Sequence, residues 1–262
     1  MATPGGRSGW WEVWSQAWLD IGNDPENEIV ILSGTGDTWL ELRPGMLPVD
    51  ESTSTAPSAP ADPDARRAQM TSHWAYNTYY GTFKNAENFL FGIDVPTIGA
   101  INGPAAIHFE TALLCDITLC TDDTVLRDPH CNWGVPPGDG LGMVLQELMG
   151  PKRAAFHLYT GEPITAAQAL EYGLVNEVLP KEQLMPRARE LAAKIKQMPT
   201  LGRLMTKQIV RRPFQQRHVA DAGFHMAHEL FAMISDAPTG GALTPQMRRD
   251  AADKWDAAMC NR

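Results

Sequence analysis

Apolar positions in the first part of the chain alternate between helical spacing and the continuous runs typical of buried strands. Tryptophans and an isoleucine recur at helical spacing before Gly22, which predicts an amphipathic helix that packs on a sheet. Residues 28–33 and 95–101 are short, apolar and rich in β-branched side chains, as buried strands are, and residues 68–93 between them return to helical spacing. This alternation predicts an α/β fold with a parallel sheet.

The predicted elements shorten after residue 101, and beyond about residue 180 the pattern is helical. Strands are predicted over residues 116–120, 124–126 and 175–179. Helices are predicted over residues 109–114, 141–149, 152–160, 165–172, 183–198, 200–211, 218–234 and 244–258. Thr165 is the predicted N-cap of its helix, and Gly173 ends that helix. The pattern therefore predicts an α/β core followed by a helical C-terminal region.

Residues 43–67 interrupt this pattern with a stretch rich in Pro, Ser, Thr, Ala and Asp that shows no periodicity. The stretch is long for a loop inside a compact domain, so it is either a mobile lid or a disordered insert. We favour a lid with a disordered tip.

The composition argues against several classes of protein. A formal net charge of -9 argues against a nucleic-acid groove, because phosphate binding needs clustered Lys and Arg. The four cysteines form no CxxC pair, so buried reduced thiols are a simpler interpretation than a zinc site. The N-terminus lacks the regions of a signal peptide, and no apolar run reaches the roughly 18 residues of a membrane span. We therefore expect a cytoplasmic protein that binds neither nucleic acid nor membrane.

Two neighbouring segments concentrate the residues that could carry chemistry. Residues 128–142 hold His130 and Asp139 on either side of a loop rich in Gly and Pro, and residues 102–116 hold His108. Two imidazoles and a carboxylate on adjoining turns could activate water and stabilise an oxyanion. The alternative is that backbone partners satisfy each histidine and that Asp139 caps the following helix.

From residue 28 to about residue 235 the sequence resembles the crotonase, or enoyl-CoA hydratase/isomerase, superfamily. The resemblance is carried by ENEIVILSGTGDTW, VPTIGAINGPA, LLCDITLCTDDTVL and, most strongly, GPKRAAFHLYTGEPITAAQALEYGLVNEVLP. It implies a spiral of ββα units over residues 1–198 and a helical oligomerisation region over residues 199–262, which packs the subunits into a homotrimer or a dimer of trimers. The superfamily begins with a β-hairpin. Few residues precede the tryptophan-rich helix here, so we expect this hairpin to be missing.

The departures from the superfamily pattern bear on function. Hydratases carry Gly-Gly-Gly-x-Glu-Leu after Asn-Gly, whereas this chain has the shorter PAAIHFETALL, with His108 at the place of the glycines. Glu110 is a candidate for the first catalytic glutamate of hydratases, and His130 stands where the second one would be. The two-glutamate site that adds water to a thioester is therefore not intact.

The pattern is similar to that of a narrower group, the β-diketone hydrolases such as 6-oxocamphor hydrolase. The shared features are a histidine in the shortened Asn-Gly segment, Pro-His at 129–130, Pro-Gly-Asp-Gly at 137–140 and Ala-His-Glu at 227–229. The resemblance implies retro-Claisen hydrolysis of a carbon–carbon bond in a cyclic 1,3-diketone, a small-molecule substrate, without coenzyme A, metal or another cofactor.

In that reaction hydroxide adds to one carbonyl, and the alkoxide collapses with expulsion of an enolate. The resemblance assigns His130 as the base for water and Asp139 as the group that orients its ring. His108 would donate to an oxygen of the diketone or enolate, and Glu229 would steer water or carry a proton. The residues expected to contact the substrate are Leu40, Tyr79, Phe83 and Trp133.

Several alternatives stay open. Glu229 could be a surface residue of its helix. His225 and His228 have an i, i+3 spacing that can bind metal, but no acidic or thiol partner lies nearby in the sequence, so we interpret them as structural. The protein could instead be a hydratase or isomerase of CoA thioesters, or a non-catalytic crotonase-like subunit that assembles without hydrolysing anything.

Overall fold

The computed structural model of this chain describes residues 10–40 and 73–235. We number the elements in chain order. The helices are α1 (Trp10–Asn23), α2 (His73–Gly92), α3 (Glu110–Leu113), α4 (His130–Trp133), α5 (Leu141–Met149), α6 (Pro151–Thr160), α7 (Ala166–Glu171), α8 (Lys181–Lys196), α9 (Thr200–Val210) and α10 (Arg212–Ser235). The strands are β1 (Val30–Ser33), β2 (Thr97–Ile101), β3 (Ile117–Thr121), β4 (Val125–Leu126), β5 (Ile164–Thr165) and β6 (Glu177–Leu179).

Four of these strands form a parallel sheet in the order β1-β2-β3-β6. Ile98 of β2 lies opposite Ile31 of β1 on one side and Ile117 of β3 on the other. Every residue of β2 is buried, which explains why this strand is a continuous apolar run rather than an alternating one. The predicted α/β fold with a parallel sheet is confirmed. The remaining two strands, β4 and β5, form a separate antiparallel pair.

Helices cover both faces of the sheet. The larger core joins α1, α2, α3, α5 and α7 to one face, and Trp18 of α1 is buried in it. On the other face Ile98, Ala100 and Leu119 pack against Leu184 and Ala188 of α8. Each face of the sheet therefore has its own apolar layer, as parallel sheets require.

Most predicted elements lie within a few residues of the observed ones, and the differences have local causes. Thr165 caps α7 through a capping box with Gln168, as its position predicts. α10 begins at Arg212, six residues before the predicted start at 218, because Pro213 is tolerated in the first turn of a helix. Three expectations concern residues outside the described ranges: the lid at 43–67, the helix at 244–258 and the absence of a hairpin at the start.

The C-terminal helices fold back onto the core. α10 packs against α2 and α5, so it contributes side chains to the interior of the α/β core. No helix of the described ranges is long and apolar enough to span a membrane.

α9 has an unusual distribution of charge. Its buried face carries Arg203 and Lys207, and the buried Arg211 follows at the same four-residue spacing directly after its C-terminal end. These cations pair with acidic residues just before β1, β3 and β2, namely Glu28 at 3.1 Å, Asp116 at 2.7 Å and Asp94 at 2.7 Å. The outward face instead exposes Leu201, Met205 and Ile209. Charged pairs, not apolar packing, therefore attach this helix to the sheet.

Candidate active site

The loop after β2 is tied to the loop after β1. The side-chain amide of Asn102 donates to the carbonyl of Gly36 at 2.7 Å and contacts that of Gly34 at 3.3 Å. Gly103 has a φ of 154°, and a Cβ at that residue would come within 2.0 Å of the carbonyl oxygen of Asp37. Only glycine therefore permits this close approach of the two loops, which fixes the start of the segment that carries His108.

His108 is held in a strained backbone conformation. Its φ of 50° is the only positive value among the non-glycine residues that the structure describes. The indole N–H of Trp39 donates to the carbonyl of His108 at 3.1 Å, and the ring Nδ1 lies 3.0 Å from Oε1 of Glu110. Strain of this kind persists only where its surroundings impose it, and it is frequent at functional sites.

His130 opens the short helix α4 and is deeply buried. Its Nδ1 lies 2.5 Å from Oδ1 of Asp128, which also accepts the backbone N–H of His130 at 3.1 Å. With Asp128 as acceptor, Nδ1 carries the hydrogen. The other nitrogen, Nε2, lies 3.7 Å from Oδ2 of Asp139 and 3.9 Å from Oε1 of Glu229. The ring is thus oriented by one carboxylate and directed towards two others.

The sequence assigned the orienting role to Asp139, and the structure gives it to Asp128. Asp128 stands two residues before His130, so a single turn brings its carboxylate to Nδ1. Asp139 approaches from the far side of the loop, between the two imidazoles, with Oδ2 also 3.4 Å from Nδ1 of His108. Its Oδ1 accepts only a long 3.4 Å bond from the N–H of Leu141, so capping is a minor part of what Asp139 does.

Glu229 reaches this site from α10. It is buried, and its Oε2 accepts the backbone N–H of Gly138 at 3.0 Å. A Cβ at Gly138 would lie 2.4 Å from the carbonyl oxygen of His225 and 2.6 Å from Cβ of Glu229. Glycine at 138 therefore lets the helix approach the loop, and the alternative of a surface Glu229 is wrong.

Neighbouring charges or burial raise the pKa values of four ionisable groups in the site. Burial alone would lower the pKa of His130, but the charge of Asp139 and the hydrogen bond to Asp128 outweigh it and raise this pKa to about 10. The pKa of His108 is also raised, because the charge and hydrogen bond of Glu110 outweigh the effect of burial. Burial raises the pKa of Glu229 to about 7, with the charge of Asp139 adding to it, and burial also raises the pKa of Glu110. We call these six residues the proton cluster: His108, Glu110, Asp128, His130, Asp139 and Glu229.

The proton cluster has more carboxylates than imidazoles and could also hold a cation. The ligand atoms of His108, Glu110 and Asp139 lie within 4.8 Å of one another, as do those of His130, Asp139 and Glu229. Asp139 belongs to both sets. The pair at 225 and 228 is in neither set.

The expected substrate contacts are only partly brought together. Phe83 lines a cavity of about 30 Å³ that also touches Glu110 and Asp139. Leu40 lines a larger cavity of about 660 Å³ between α1 and the loop after β1, and Trp18 borders both. Tyr79 lines neither of these two cavities, because its hydroxyl points to a carbonyl of α10. The side chain of Trp133 lies outside the described residues.

Comparison with known proteins identifies the family. A family model described as enoyl-CoA hydratase/isomerase matches residues 58–237. The chain belongs to this family. Its membership of the crotonase superfamily, expected from the sequence motifs, is thereby confirmed.

Solved and curated members of this family differ in activity. A β-diketone hydrolase from the cyanobacterium Anabaena, solved with (S)-3-oxocyclohexyl acetic acid, is 32% identical with a TM-score of 0.72, covering 86% of this chain and 83% of its own. An enoyl-CoA hydratase from Bacillus anthracis is 26% identical with a TM-score of 0.62, covering 84% and 78%. A carnitinyl-CoA dehydratase from Citrobacter koseri is 29% identical over 197 residues, which are 75% of this chain and 68% of that protein.

Proposed function

We propose that this protein hydrolyses a carbon–carbon bond of a cyclic 1,3-diketone. One observation carries the proposal: two imidazoles, one buried and one 12% exposed, are each bonded to their own carboxylate and both face Asp139. This arrangement supplies a base for water and a donor for a developing oxyanion, with His130 at the position of the second glutamate of thioester hydratases.

In the proposed reaction the residues of the proton cluster act in sequence. Nε2 of His130 removes a proton from water, whose oxygen bonds to one carbonyl carbon of the diketone. The alkoxide that forms accepts a hydrogen bond from His108. Collapse of the alkoxide breaks the bond to the central carbon and leaves a carboxylic acid and an enolate. The imidazolium of His130 returns its proton to the enolate carbon, which gives the ketone.

The high pKa of His130 fits an enolised substrate. At neutral pH the resting ring is a cation, and a cyclic 1,3-diketone that has lost its central proton binds as an anion. Transfer of the proton from His130 to the central carbon produces the diketone and the neutral imidazole together. The same nitrogen is then free to remove a proton from water. The acid product finally gives its proton back to the ring, which closes the cycle.

The similarity to the Anabaena β-diketone hydrolase supports this reaction. That protein was solved with an oxo acid, and ring opening of a cyclic 1,3-diketone by water yields an oxo acid. The similarity extends over most of both chains at 32% identity.

Dehydration or hydration of a CoA thioester is the second candidate, because carnitinyl-CoA dehydratases are 28–29% identical to this chain. Such an enzyme would need Glu110 as its acid–base group. In the structure Oε1 of Glu110 is bonded to His108 instead, which disfavours this candidate.

The test is to incubate purified protein with a panel of cyclic 1,3-diketones and to follow the loss of enolate absorbance. Mass spectrometry in ¹⁸O-water should show one labelled oxygen in the carboxylate of the product. A parallel panel of enoyl-CoA and carnitinyl-CoA thioesters tests the second candidate. His228 is an exposed histidine of α10, so His228→Gln is the control and should leave turnover unchanged. Conversion of a thioester without cleavage of any diketone would contradict the proposal.

A further inference from the structure

His218 is a buried polar side chain that makes no side-chain hydrogen bond to any residue the structure describes. It is 2% exposed, on the face of α10 that also carries Ala222, Met226 and Glu229. Neither Nδ1 nor Nε2 has a hydrogen-bond partner in the part of the chain that the structure describes. Buried polar groups are nearly always paired, so an imidazole with two unpaired nitrogens calls for an explanation.

Aromatic packing holds the ring of His218 in place. Its centroid lies 4.7 Å from that of Phe83 and 6.3 Å from that of Phe91. Burial lowers the pKa of His218 to about 4, so the ring is neutral at physiological pH and offers one donor and one acceptor. An apolar side chain would fill this position without leaving polar atoms unpaired.

The cavity beside His218 leads to the proton cluster. The same cavity is lined by Glu110 and Asp139, and Oε2 of Glu110 also lacks a hydrogen-bond partner among the described residues. Most of its other walls are apolar, with Phe89, Leu114 and Met143 among them. The cavity is thus an apolar passage with the reacting groups at one end and a single imidazole elsewhere in its wall.

The position of His218 on α10 sets its distance from Glu229, the residue of the proton cluster on the same helix. His218 and Glu229 are eleven residues apart, which is three helical turns and about 16 Å along the axis. A diketone ring alone at Glu229 would not span this length. A ligand that touches both ends therefore needs a side chain on its ring.

We propose that His218 recognises a hydrogen-bonding group at the far end of the substrate, which is then a cyclic 1,3-diketone with a side chain ending in a hydroxyl or carbonyl group. This inference rests on the proposed function. The cavity of about 30 Å³ has room for about one water, so the side chain enters by displacing flexible wall residues such as Met143 and Met226.

The experiment compares 2-substituted cyclohexane-1,3-diones of equal length whose side chains end in hydroxyl, ketone or methyl, together with the unsubstituted ring. The wild-type protein should favour the polar-ended compounds over the methyl-ended one by tenfold or more in kcat/KM. His218→Leu should abolish this preference, so that the polar-ended and methyl-ended compounds are cleaved alike. His218→Gln should restore part of the preference, and His228→Leu on the same helix should alter nothing.

Binding of the same compounds is measured by quenching of tryptophan fluorescence, since Trp18 lines the cavity. Because binding is measured separately from cleavage, the role of His218 can be tested independently of the proposed function. If no diketone is cleaved, the proposed function fails, and the preference in binding still decides the role of His218. Equal binding and cleavage of all side chains by the wild-type protein, or an unchanged preference in His218→Leu, would overturn the inference. His218→Leu should also melt no lower than wild type, because it removes unpaired polar atoms; a large drop would indicate a structural role.

Discussion

Two sets of charged side chains in this chain, one at α9 and one in the proton cluster, are arranged in opposite ways. At α9 three buried cations each pair with an acidic residue just before a strand, and two of these acids, Glu28 and Asp94, are themselves exposed. In the proton cluster four carboxylates surround two imidazoles. The pKa values differ accordingly: those of Asp94 and Glu28 are lowered, whereas those of Glu110 and Glu229 are raised.

We interpret the charged residues at α9 as groups that hold the fold and those of the proton cluster as groups that exchange protons. For Asp94, burial raises the pKa, but hydrogen bonds from Arg211 and Gln208 outweigh it, so its charge is constant over the physiological range. In the proton cluster the charged side chains that act most on the pKa values of His130 and Glu229 are carboxylates and imidazoles, with no Arg or Lys among them. We interpret this excess of acid around imidazoles as the mark of a site for proton transfer.

Removing the imidazole of His130 should have the largest effect on catalysis. His130→Gln is expected to lower kcat for diketone cleavage by about 10²–10⁴, the usual contribution of a general acid–base group. Steady-state kinetics measure the loss, and circular dichroism checks the fold. His157→Gln is the matched control, because His157 is also buried but bonds only to the carbonyl of Glu162 within the described residues. An unchanged kcat in His130→Gln would remove this residue from the mechanism.

Removing a matched cation should act on stability instead. Lys207→Met leaves Asp116 buried without its cation, and breaking a buried pair in this way costs about 3–5 kcal/mol. Urea unfolding measures this loss, while kcat of the folded variant should stay near the wild-type value. Lys181→Met is the control, since its pair with Asp37 is exposed and such pairs contribute at most about 1 kcal/mol. Equal losses in the two variants would show that the buried pair contributes no more to stability than the exposed one.

The sequence predicted the fold well because the sheet strands are apolar on both faces. β2 and β3 are fully or almost fully buried, so their runs stand out without any knowledge of their partners. The start of α10 was missed because Pro213 looks like a helix break when only the local pattern is considered. The way in which α9 packs was not predictable, since a stripe of Arg and Lys at helical spacing ordinarily indicates a solvent-exposed face.

The sequence predicted which residues form the candidate site better than it predicted their hydrogen-bond partners. His108, His130, Asp139 and Glu229 do come together. Asp128 was passed over although it stands two residues from His130, because sequence spacing does not tell which carboxylate reaches which nitrogen. His218 carried no signal at all, since its proposed role rests on ring nitrogens that have no hydrogen-bond partner among the described residues.

The outward face of α9 is apolar and exposed, in contrast to its charged inner face. We propose that Leu201, Met205 and Ile209, whose exposed fractions are 70%, 50% and 73%, are covered by a second copy of the chain in a homotrimer or dimer of trimers. Ile209→Glu should weaken association by about 2 kcal/mol or more per contact and yield smaller species in light scattering. Ala193→Glu adds the same charge to an exposed site on α8 and serves as control. A well-folded wild-type monomer at micromolar concentration would contradict the proposal.

The smallest expected effect is a shift in pH dependence when the excess of acid is reduced. Asp139 makes the largest contribution that raises the pKa of His130, so Asp139→Asn should lower that pKa from about 10 by at least about one unit, equivalent to about 1.4 kcal/mol. With an enolised substrate the reaction needs the cation of His130, so kcat/KM should fall as pH rises through this pKa. The alkaline limb of the pH profile should therefore move to lower pH in the variant.

Stability gives an independent measurement of the same shift. The pKa of His130 is higher in the folded chain, about 10, than its ordinary value of 6.5, so its protonation stabilises the fold fully below about pH 6.5. This contribution is lost as pH rises towards 10. Urea unfolding at pH 7 and pH 10 should thus show a larger alkaline loss in wild type than in Asp139→Asn, whose pKa is closer to the ordinary value. Glu190→Gln removes an acid far from the proton cluster in an exposed pair with Arg187, and its alkaline loss should match that of wild type. If Asp139→Asn lowers the rate but moves neither the alkaline limb nor the pH dependence of unfolding, the charge of Asp139 does not hold the proton on His130.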